Sequence, residues 1–267
     1  MLKNVGIIIN HKKDQAGIFS LNLVACFTKL GISTWLENEV NYADETDLII
    51  ILGGDGTVLY SFQKYGHLQV PFLCVNFGTV GFLSTVDVND FSKYLSKIIT
   101  KTYFIEERSI IQITLVSKEK ETDCGYALND LVVRSNCLHM THQLLRIDGQ
   151  NLCEYEGDGV IAATATGSTG YSLSAGGAIM EPGLNNILVQ SLCSRINSPN
   201  TLMLDMNHTL EIICKDKEPF SSFFIDGREY MQLRKDDLIR ITKADIKARF
   251  VVLDNNRYYK LLRKRFG

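Results

Sequence analysis

Leu48-Ile49-Ile50-Ile51-Leu52-Gly53-Gly54-Asp55-Gly56-Thr57 is the stretch that decides the fold of this 267-residue chain. Its first half is a continuous apolar run, which is typical of a strand buried on both faces of a parallel sheet. Its second half has three glycines in four positions, so the backbone can turn sharply into the helical pattern that follows at 58–65. Strand, tight turn and helix in succession predict an α/β sheet that binds ligands beyond the carboxyl ends of its strands.

Apolar runs and helical patterns alternate on both sides of this stretch. Residues 5–9 and 70–75 read as two further buried strands. Apolar residues also recur at helical spacing in two places, namely Ile18, Leu21, Val24 and Ala25, and then Phe91, Tyr94, Leu95 and Ile98. We therefore expect residues 1–102 to form an α/β domain with a parallel sheet and crossover helices.

The pattern of apolar residues changes near residue 103. Short β-rich runs dominate from there to residue 253, and Asp148-Gly149 is a hairpin signal between two of them. Residues 103–253 are therefore predicted to form a β-rich, mostly antiparallel domain. Residues 257–266 carry apolar side chains at helical spacing and predict a short final helix. No linker separates the two halves, so a ligand cleft between them is the default expectation.

Composition excludes several classes of protein. The net charge is −2, whereas a nucleic-acid binder normally carries a strong basic excess. No apolar segment reaches the roughly 18 residues of a membrane-spanning helix. The seven cysteines include no CxxC pair, which favours free thiols in a reducing cytoplasm over disulfides or zinc. His139 and His142 lie in β-rich sequence, so their spacing predicts no metal site.

The glycine-rich turn is the first candidate site. Gly53, Gly54, Gly56 and Thr57 form a predicted phosphate-binding loop, because they follow a strand and open a helix whose N–H groups face the ligand. Asp55 would repel a phosphate unless it had a chemical task. It would accept a proton from an attacking hydroxyl, orient that hydroxyl, or hold a metal ion.

The second candidate site is an uncharged block at 164–177, in which hydroxyl side chains and glycines surround one aromatic ring. Such a block suits a polyphosphate, a sugar and a base. The predicted ligand contacts in it are Thr166, Thr169, Gly170, Tyr171, Ser172, Leu173 and Ser174. Asn129-Asp130 at the head of a β run and Asp158 in a glycine turn are weaker candidates, and Phe224 to Arg228 reads in isolation as a hairpin turn.

Taken in order along the chain, these pieces resemble the NAD kinase family. The shared residues are Gly53-Gly54-Asp55-Gly56-Thr57, Glu106-Glu107-Arg108, Asn129-Asp130, Gly157-Asp158-Gly159, the block from Thr166 to Gly177, and Ile225-Asp226-Gly227. Diacylglycerol and sphingosine kinases share the glycine pentapeptide, and phosphofructokinases have a close variant of it. The Thr166 block is more specific, and the match covers nearly the whole chain.

The resemblance implies a cytoplasmic enzyme that transfers the γ-phosphoryl group of ATP to the adenosine ribose 2′-hydroxyl of NAD. Asp55 would be the base or the hydroxyl-orienting residue, Gly56 would contact NAD, and Asn129 and Asp130 would contact the adenosine part. The Thr166 block would line the dinucleotide, and Asp158 would reach its other end across a subunit boundary. The family uses Mg²⁺ or a similar divalent ion with ATP, forms homodimers or homotetramers, and packs its final helix (254–267 here) back on the first domain.

The sequence departs from the family pattern at four positions. The usual Asn-Glu is Asn129-Asp130, one methylene shorter, so that the ribose contact becomes longer or water-bridged. The usual Pro and Ala of the second block are Ala165 and Gly170. Arg228 stands where family members often have Gln, and its positive charge favours a 2′-phosphate. None of the four changes affects Asp55.

Two other functions remain open at this stage. A lipid kinase would share the glycine pentapeptide, but the chain lacks a basic membrane-binding face and the Thr166 block has no role in such an enzyme. A catalytically silent NAD(P) sensor would keep the nucleotide-binding block without needing Asp55. A coupled assay for NADP formation separates all three.

Overall fold

The computed structural model describes residues 1–10, 14–37, 45–78, 81–195, 199–254 and 257–267. The chain divides into two compact units. The first unit consists of Met1–Glu107 and Ala248–Gly267, and the second of Arg108–Lys247. The final helix therefore belongs to the first unit, as the family resemblance implies.

The elements change in character along the chain, from alternating strands and helices to a nearly unbroken series of strands. The first part contains β1 Asn4–Ile9, α1 Asp14–Lys29, β2 Ser33–Leu36, β3 Leu48–Leu52, α2 Asp55–Tyr65, β4 Phe72–Asn76, β5 Val86–Asp87 and α3 Phe91–Thr100. The second part contains β6 Phe104–Ser117, β7 Lys120–Ala127, β8 Asp130–Ser135, β9 Thr141–Ile147, β10 Gln150–Gly157, β11 Gly159–Thr164, α4 Tyr171–Ser174, β12 Asn186–Leu192, β13 Thr201–Asp205, β14 Leu210–Cys214, β15 Ser221–Ile225, β16 Arg228–Gln232, β17 Leu238–Val252 and α5 Arg257–Phe266.

The first unit is built on a parallel sheet. β1 lies between β2 and β3, and β4 extends the sheet on the other side of β3. All five residues of β3 and all five of β4 are buried, which explains why their sequences are continuously apolar up to Asn76. The carboxyl ends of these two adjacent strands lie at the same edge of the sheet, and the glycine-rich turn is attached there.

Helix α1 corrects one detail of the sequence analysis. The predicted helix is present, but Ile18 and Leu21 of the predicted apolar stripe are 65% and 68% exposed. The buried side of the helix instead carries Ala16, Leu23 and Phe27. The two stripes have similar spacing, so periodicity alone cannot determine which side faces the sheet.

The second unit is antiparallel, as predicted. One set of strands runs in the order β10, β9, β14 and β17, and β6 forms a hairpin with β7. A second sheet has the order β13, β12, β11, β8, β15, β16. Apolar side chains from both sets of strands form one core, which includes Ile113, Leu145, Val160 and Phe223.

Two of the tight hairpins in the second unit have an Asp-Gly turn. Asp148 and Gly149 join β9 to β10 with φ values of +50° and +77°, which confirms the predicted turn. Asp226 and Gly227 join β15 to β16 with φ values of +49° and +79°. Both pairs have the left-handed conformation of a type I′ turn, for which Asp-Gly is a preferred sequence.

The predicted fold class is thus confirmed: a parallel α/β first part, a β-rich antiparallel second part and a final helix. Within the portion of the chain that the structure describes, no helix combines the length and apolar character needed to cross a membrane.

Candidate active site

The glycine-rich turn connects β3 to α2 at the carboxyl edge of the parallel sheet. The Gly53 N–H donates to the Val75 carbonyl of the neighbouring strand β4 at 3.0 Å, and this bond fixes the start of the turn. Helix α2 begins at Asp55, and the N–H groups of Thr57 and Val58 both donate to the Gly54 carbonyl. The turn therefore presents the N-terminal end of a helix, where anions bind readily.

The three glycines of the turn serve different purposes. A Cβ on Gly53 would lie 2.4 Å from Thr57 Oγ1, so the side chain of Thr57 itself requires a glycine at that position. A Cβ on Gly54 or Gly56 would meet no atom of the described residues within 4 Å. The outer side of the turn is therefore open to a ligand, and the inner side is closed by Thr57.

The side chain of Asp55 is held by two backbone donors. The Phe82 N–H donates to Oδ2 at 3.0 Å and the Leu83 N–H donates to Oδ1 at 3.1 Å. Gly81 precedes these donors, and a Cβ there would lie 2.0 Å from Asp55 Oδ1. Asp55 as a whole residue stays partly exposed. These two hydrogen bonds hold the carboxylate in a fixed orientation.

Sequence analysis missed the partners of Asp55. The available signal was Asn76-Phe77-Gly78 after a buried strand, with Gly81 three positions later. Glycines beyond the carboxyl end of a parallel strand indicate a second loop at the same edge of the sheet as the Asp55 turn.

In the second unit, the block from Thr166 to Gly177 follows β11 as a 3-10 turn at Gly167–Thr169 and the short helix α4. Ser168 is fully buried and donates to the Ala165 carbonyl at 2.7 Å while accepting from the Met180 N–H at 2.9 Å. Thr169 Oγ1 donates to the Thr166 carbonyl. These local bonds give the block a definite conformation, so it is not a loose glycine and serine loop.

The Asn129-Asp130 pair lies beside this block. A Cβ on Gly167 would lie 2.0 Å from the Asn129 carbonyl oxygen. A Cβ on Gly170 would lie 3.5 Å from Asn129 Nδ2 and 3.8 Å from Asp130 Oδ2. The structure thus brings together two segments that the sequence analysis identified separately.

Asp226 fixes the backbone of this pair and is the main residue that sequence analysis missed in the second unit. Its Oδ1 accepts from the N–H groups of Asn129 at 2.7 Å and Asp130 at 3.2 Å, and its Oδ2 accepts from Leu128 at 3.0 Å. The predicted hairpin at 224–228 is confirmed, but its turn also contains the Asp226 carboxylate. Its place in the shared Ile225-Asp226-Gly227 sequence was the available signal.

Three buried polar atoms at this site have no hydrogen-bond partner among the described residues. They are Asn129 Oδ1, Thr166 Oγ1 and Ser172 Oγ. Buried polar groups are normally paired with protein, water or ligand. All three belong to the two segments predicted to contact the ligand.

Asp130 has an unusual electrostatic environment. Burial, together with the negative charge of Asp226, raises the pKa of Asp130 to about 7. At neutral pH this carboxyl group is therefore divided between its protonated and ionised forms. It can both donate to and accept from a sugar hydroxyl.

The remaining predicted contacts differ in position. Tyr171 is 42% exposed and Ser174 is also exposed, whereas Leu173 is half-buried. Arg228 is exposed and is the first residue of β16. It lies opposite Ile225 of β15, and Ile225 in turn lies opposite Leu131 of β8. It therefore lies at the same edge of the second sheet as Asp130.

Asp158 is not brought to this edge within its own chain. It is an exposed residue that precedes β11, whereas the Thr166 block follows β11. The six residues of that strand separate the two ends by about 17 Å.

The family models and the similar proteins of known sequence all belong to NAD kinases. The family described as "ATP-NAD kinase N-terminal domain" matches residues 33–103, and "ATP-NAD kinase C-terminal domain" matches residues 128–253. The chain is 35% identical over 262 residues to an NAD kinase of Caldicellulosiruptor bescii, covering 98% of each chain. It is 32% identical over 279 residues to an NAD kinase of Clostridium perfringens, covering 99% of this chain and 98% of the relative.

Solved structures agree over nearly the full length. Yeast NADH kinase in complex with NADH superimposes with a TM-score of 0.90 at 26% identity, covering 98% of this chain and 87% of the other. The Archaeoglobus fulgidus NAD kinase in complex with ATP gives a TM-score of 0.79, also at 26% identity, covering 98% of both chains.

Proposed function

The chain belongs to the NAD kinase family, and on that premise we propose that Asp55 acts on the hydroxyl group that becomes phosphorylated. The enzyme transfers the γ-phosphoryl group of ATP to the 2′-hydroxyl of the adenosine ribose of NAD, giving NADP and ADP. One observation carries the role of Asp55. Its carboxylate is fixed by the Phe82 and Leu83 N–H groups at 3.0 and 3.1 Å, yet it stays partly exposed beside the open glycines 54 and 56.

The chemistry required of Asp55 is modest. The ribose 2′-oxygen forms a bond to the γ-phosphorus while the bond from that phosphorus to the β–γ bridging oxygen breaks, and the hydroxyl proton passes to the carboxylate. In phosphoryl transfer the protein mainly positions groups and stabilises charge. A carboxylate held from two sides orients a hydroxyl without reorganising during the reaction. The adjacent helix end and glycine N–H groups would bind the phosphates.

A divalent ion such as Mg²⁺ fits the donors at this turn. Mg²⁺ prefers oxygen ligands and is usually held by one or two carboxylates together with substrate phosphates. Asp55, a partly exposed residue, provides a carboxylate next to the open glycines, and the ATP phosphates would provide the further oxygens. When bound with ATP, the ion neutralises charge that develops on the transferred phosphoryl group.

The dinucleotide contacts are proposed in the second unit. Of the buried polar atoms, Asn129 Oδ1 would accept a hydrogen bond from a ribose hydroxyl, and the Thr166 and Ser172 hydroxyls would donate to phosphate or ribose oxygens. Asp130 would bond the ribose, Thr169 and Gly170 would line the phosphates, and the exposed ring of Tyr171 would stack on a base. Leu173, Ser174 and Arg228 complete the proposed set, with the Arg228 charge favouring a phosphorylated product.

The assembly is proposed to be a homodimer or homotetramer. Asp158 lies about 17 Å of strand away from the Thr166 block of its own chain, so a contact with NAD would use Asp158 from a second copy. We also propose a cytoplasmic location, which is supported by the seven cysteines all being free thiols.

The deciding experiment measures NADP formation from NAD, ATP and Mg²⁺ in a coupled assay, with NADH as an alternative acceptor. Asp55→Asn keeps the shape of the side chain but removes its basicity and one of the two acceptors for the Phe82 and Leu83 N–H groups, so we expect turnover to fall about a hundredfold or more. Affinity for NAD should change less than about threefold, because its contacts lie elsewhere. Asp90→Asn, an exposed carboxylate in the same unit, serves as the control. An Asp55→Asn enzyme with near-native turnover would remove Asp55 from this role.

A further inference from the structure

The final helix α5 contacts the segment whose N–H groups donate to Asp55. Arg257, the first residue of this helix, donates from Nη2 to Ser84 Oγ at 3.1 Å. Ser84 Oγ in turn donates to the Gly81 carbonyl at 2.8 Å. Residues 81 and 84 enclose Phe82 and Leu83, whose N–H groups hold the Asp55 carboxylate.

A second contact from the same helix supports the same segment. The ring of Tyr258 packs against the ring of Phe82 with a centroid distance of 6.3 Å and an interplanar angle of 55°. Tyr258 thus braces one of the two residues that donate to Asp55, while Arg257 binds the serine that follows the other donor. The start of α5 therefore contacts the 81–84 segment at two points.

The surroundings of Arg257 are unusual for an arginine. Its Nε atom is buried and has no hydrogen-bond partner among the described residues. Burial lowers the pKa of the guanidinium, and this effect is opposed by Cys74 and by the carboxylates of Asp254, Asp87 and Asp55. The positive charge of Arg257 is therefore kept in a partly desolvated place, where the charge of Asp55 is one of those that stabilise it. A surface arginine would not carry this desolvation cost.

We propose that Arg257 is a positioning residue for phosphoryl transfer: through Ser84 and Gly81 it fixes the Phe82 and Leu83 N–H pair that orients the Asp55 carboxylate. The inference rests on the proposed role of Asp55. Thr85 also anchors the segment, since its N–H donates to the Cys74 carbonyl of β4 at 2.7 Å. Loss of Arg257 should therefore loosen the segment without releasing it.

The test compares Arg257→Met with Arg263→Met, an exposed arginine of the same helix. We expect Arg257→Met to lower kcat about tenfold, with KM for NAD and ATP changed less than about twofold, because the reacting group is displaced while the substrate contacts remain. Arg257→Lys should recover part of the loss, since it restores a cation that can donate to Ser84. Arg263→Met should behave like the native enzyme.

A second readout is independent of activity. Hydrogen exchange of the Phe82 and Leu83 amides, followed by NMR, should be at least about tenfold faster in Arg257→Met, because the loosened segment opens the hydrogen bonds from those amides to Asp55 more often. Should that variant fail to fold, Ser84→Ala removes the same link and the same amides are measured. Native exchange together with native kcat would overturn the inference. Faster exchange with native kcat in both Arg257→Met and Asp55→Asn would instead overturn the role of Asp55.

Discussion

The two units each contain a carboxylate held by backbone N–H groups, but they use it differently. In the first unit, Asp55 accepts from the two N–H groups of Phe82 and Leu83 and remains partly exposed. In the second unit, Asp226 accepts from three N–H groups, at residues 128 to 130, and is 9% exposed. The first carboxylate is fixed but reachable, which suits a group that reacts. The Asp226 carboxylate is buried among the N–H groups that it accepts from, which suits a group that holds a binding segment in place.

One glycine in each unit also makes room for a neighbouring group, but the neighbouring group differs. Gly81 makes room for a side chain, since its Cβ would lie 2.0 Å from Asp55 Oδ1. Gly167 makes room for backbone, since its Cβ would lie 2.0 Å from the Asn129 carbonyl oxygen. A substitution at Gly81 can therefore be absorbed by moving the Asp55 carboxylate. A substitution at Gly167 has to displace the chain itself.

The largest effect should come from removing the enclosed carboxylate. Asp226→Ala leaves three N–H groups without their acceptor, and we expect a loss of about 3 kcal/mol or more in the free energy of unfolding. Affinity for NAD should fall with it, because Asn129 and Asp130 lose their support. Chemical denaturation and NAD titration measure the two effects.

Asp148→Ala provides the matched control for that variant. Asp148 has the same left-handed turn conformation, but it is exposed and accepts a single backbone N–H, from Thr209. The backbone strain of alanine at positive φ is then common to both variants and cancels. Equal losses of stability would mean that turn strain, and not the three hydrogen bonds, accounts for the effect.

A smaller effect is expected from Gly81→Ala. The new methyl group forces the Asp55 carboxylate aside, so turnover should fall about 10- to 100-fold while the protein remains folded. Gly17→Ala, in helix α1 of the same unit, is the comparison, because a Cβ at Gly17 would meet no neighbouring side chain or segment among the described residues within 4 Å. Kinetics and thermal melting of both variants check this. Comparable turnover in the two would contradict the proposed sensitivity of Asp55.

The smallest effect concerns the pH dependence of stability at Asp130. Its folded pKa of about 7 lies above the ordinary value of 3.8, so between about pH 4 and pH 7 the unfolded chain releases this proton while the folded chain keeps it. Folded stability therefore decreases as pH rises through that window and stays lower above it. Asp130→Asn removes this contribution.

The measurement is chemical unfolding of the native protein and of Asp130→Asn at pH 5 and pH 8. The stability of the variant relative to the native protein should increase by about 1 to 2 kcal/mol from the lower to the higher pH, within the limit of about 1.4 kcal/mol per pKa unit. Taking the difference between the two proteins removes the contributions of other titrating groups. An unchanged difference would show that Asp130 titrates in its ordinary range.

Much of this molecule could be predicted from local sequence patterns. Continuous apolar runs identified β1, β3 and β4, because strands buried on both faces exclude polar residues up to their ends. Asp148-Gly149 identified a hairpin, because few residues other than Gly, Asn and Asp tolerate positive φ. The Asp55 turn and the Thr166 block were recognised because they are rich in glycine and hydroxyl residues. Such segments lack the apolar periodicity of an element that packs in a hydrophobic core.

Only the tertiary structure decided which segments meet. Phe82 lies 27 positions after Asp55, and Asn129 lies 97 positions before Asp226, so nothing in the local spacing links the donors to their carboxylates. Arg257 contacts Ser84 across 173 positions. The buried side of α1 was also left undecided by periodicity, since Ile18 and Leu21 are exposed. Local patterns specify elements because their physics is local, whereas such contacts depend on strand order and packing, which emerge only when the whole chain folds.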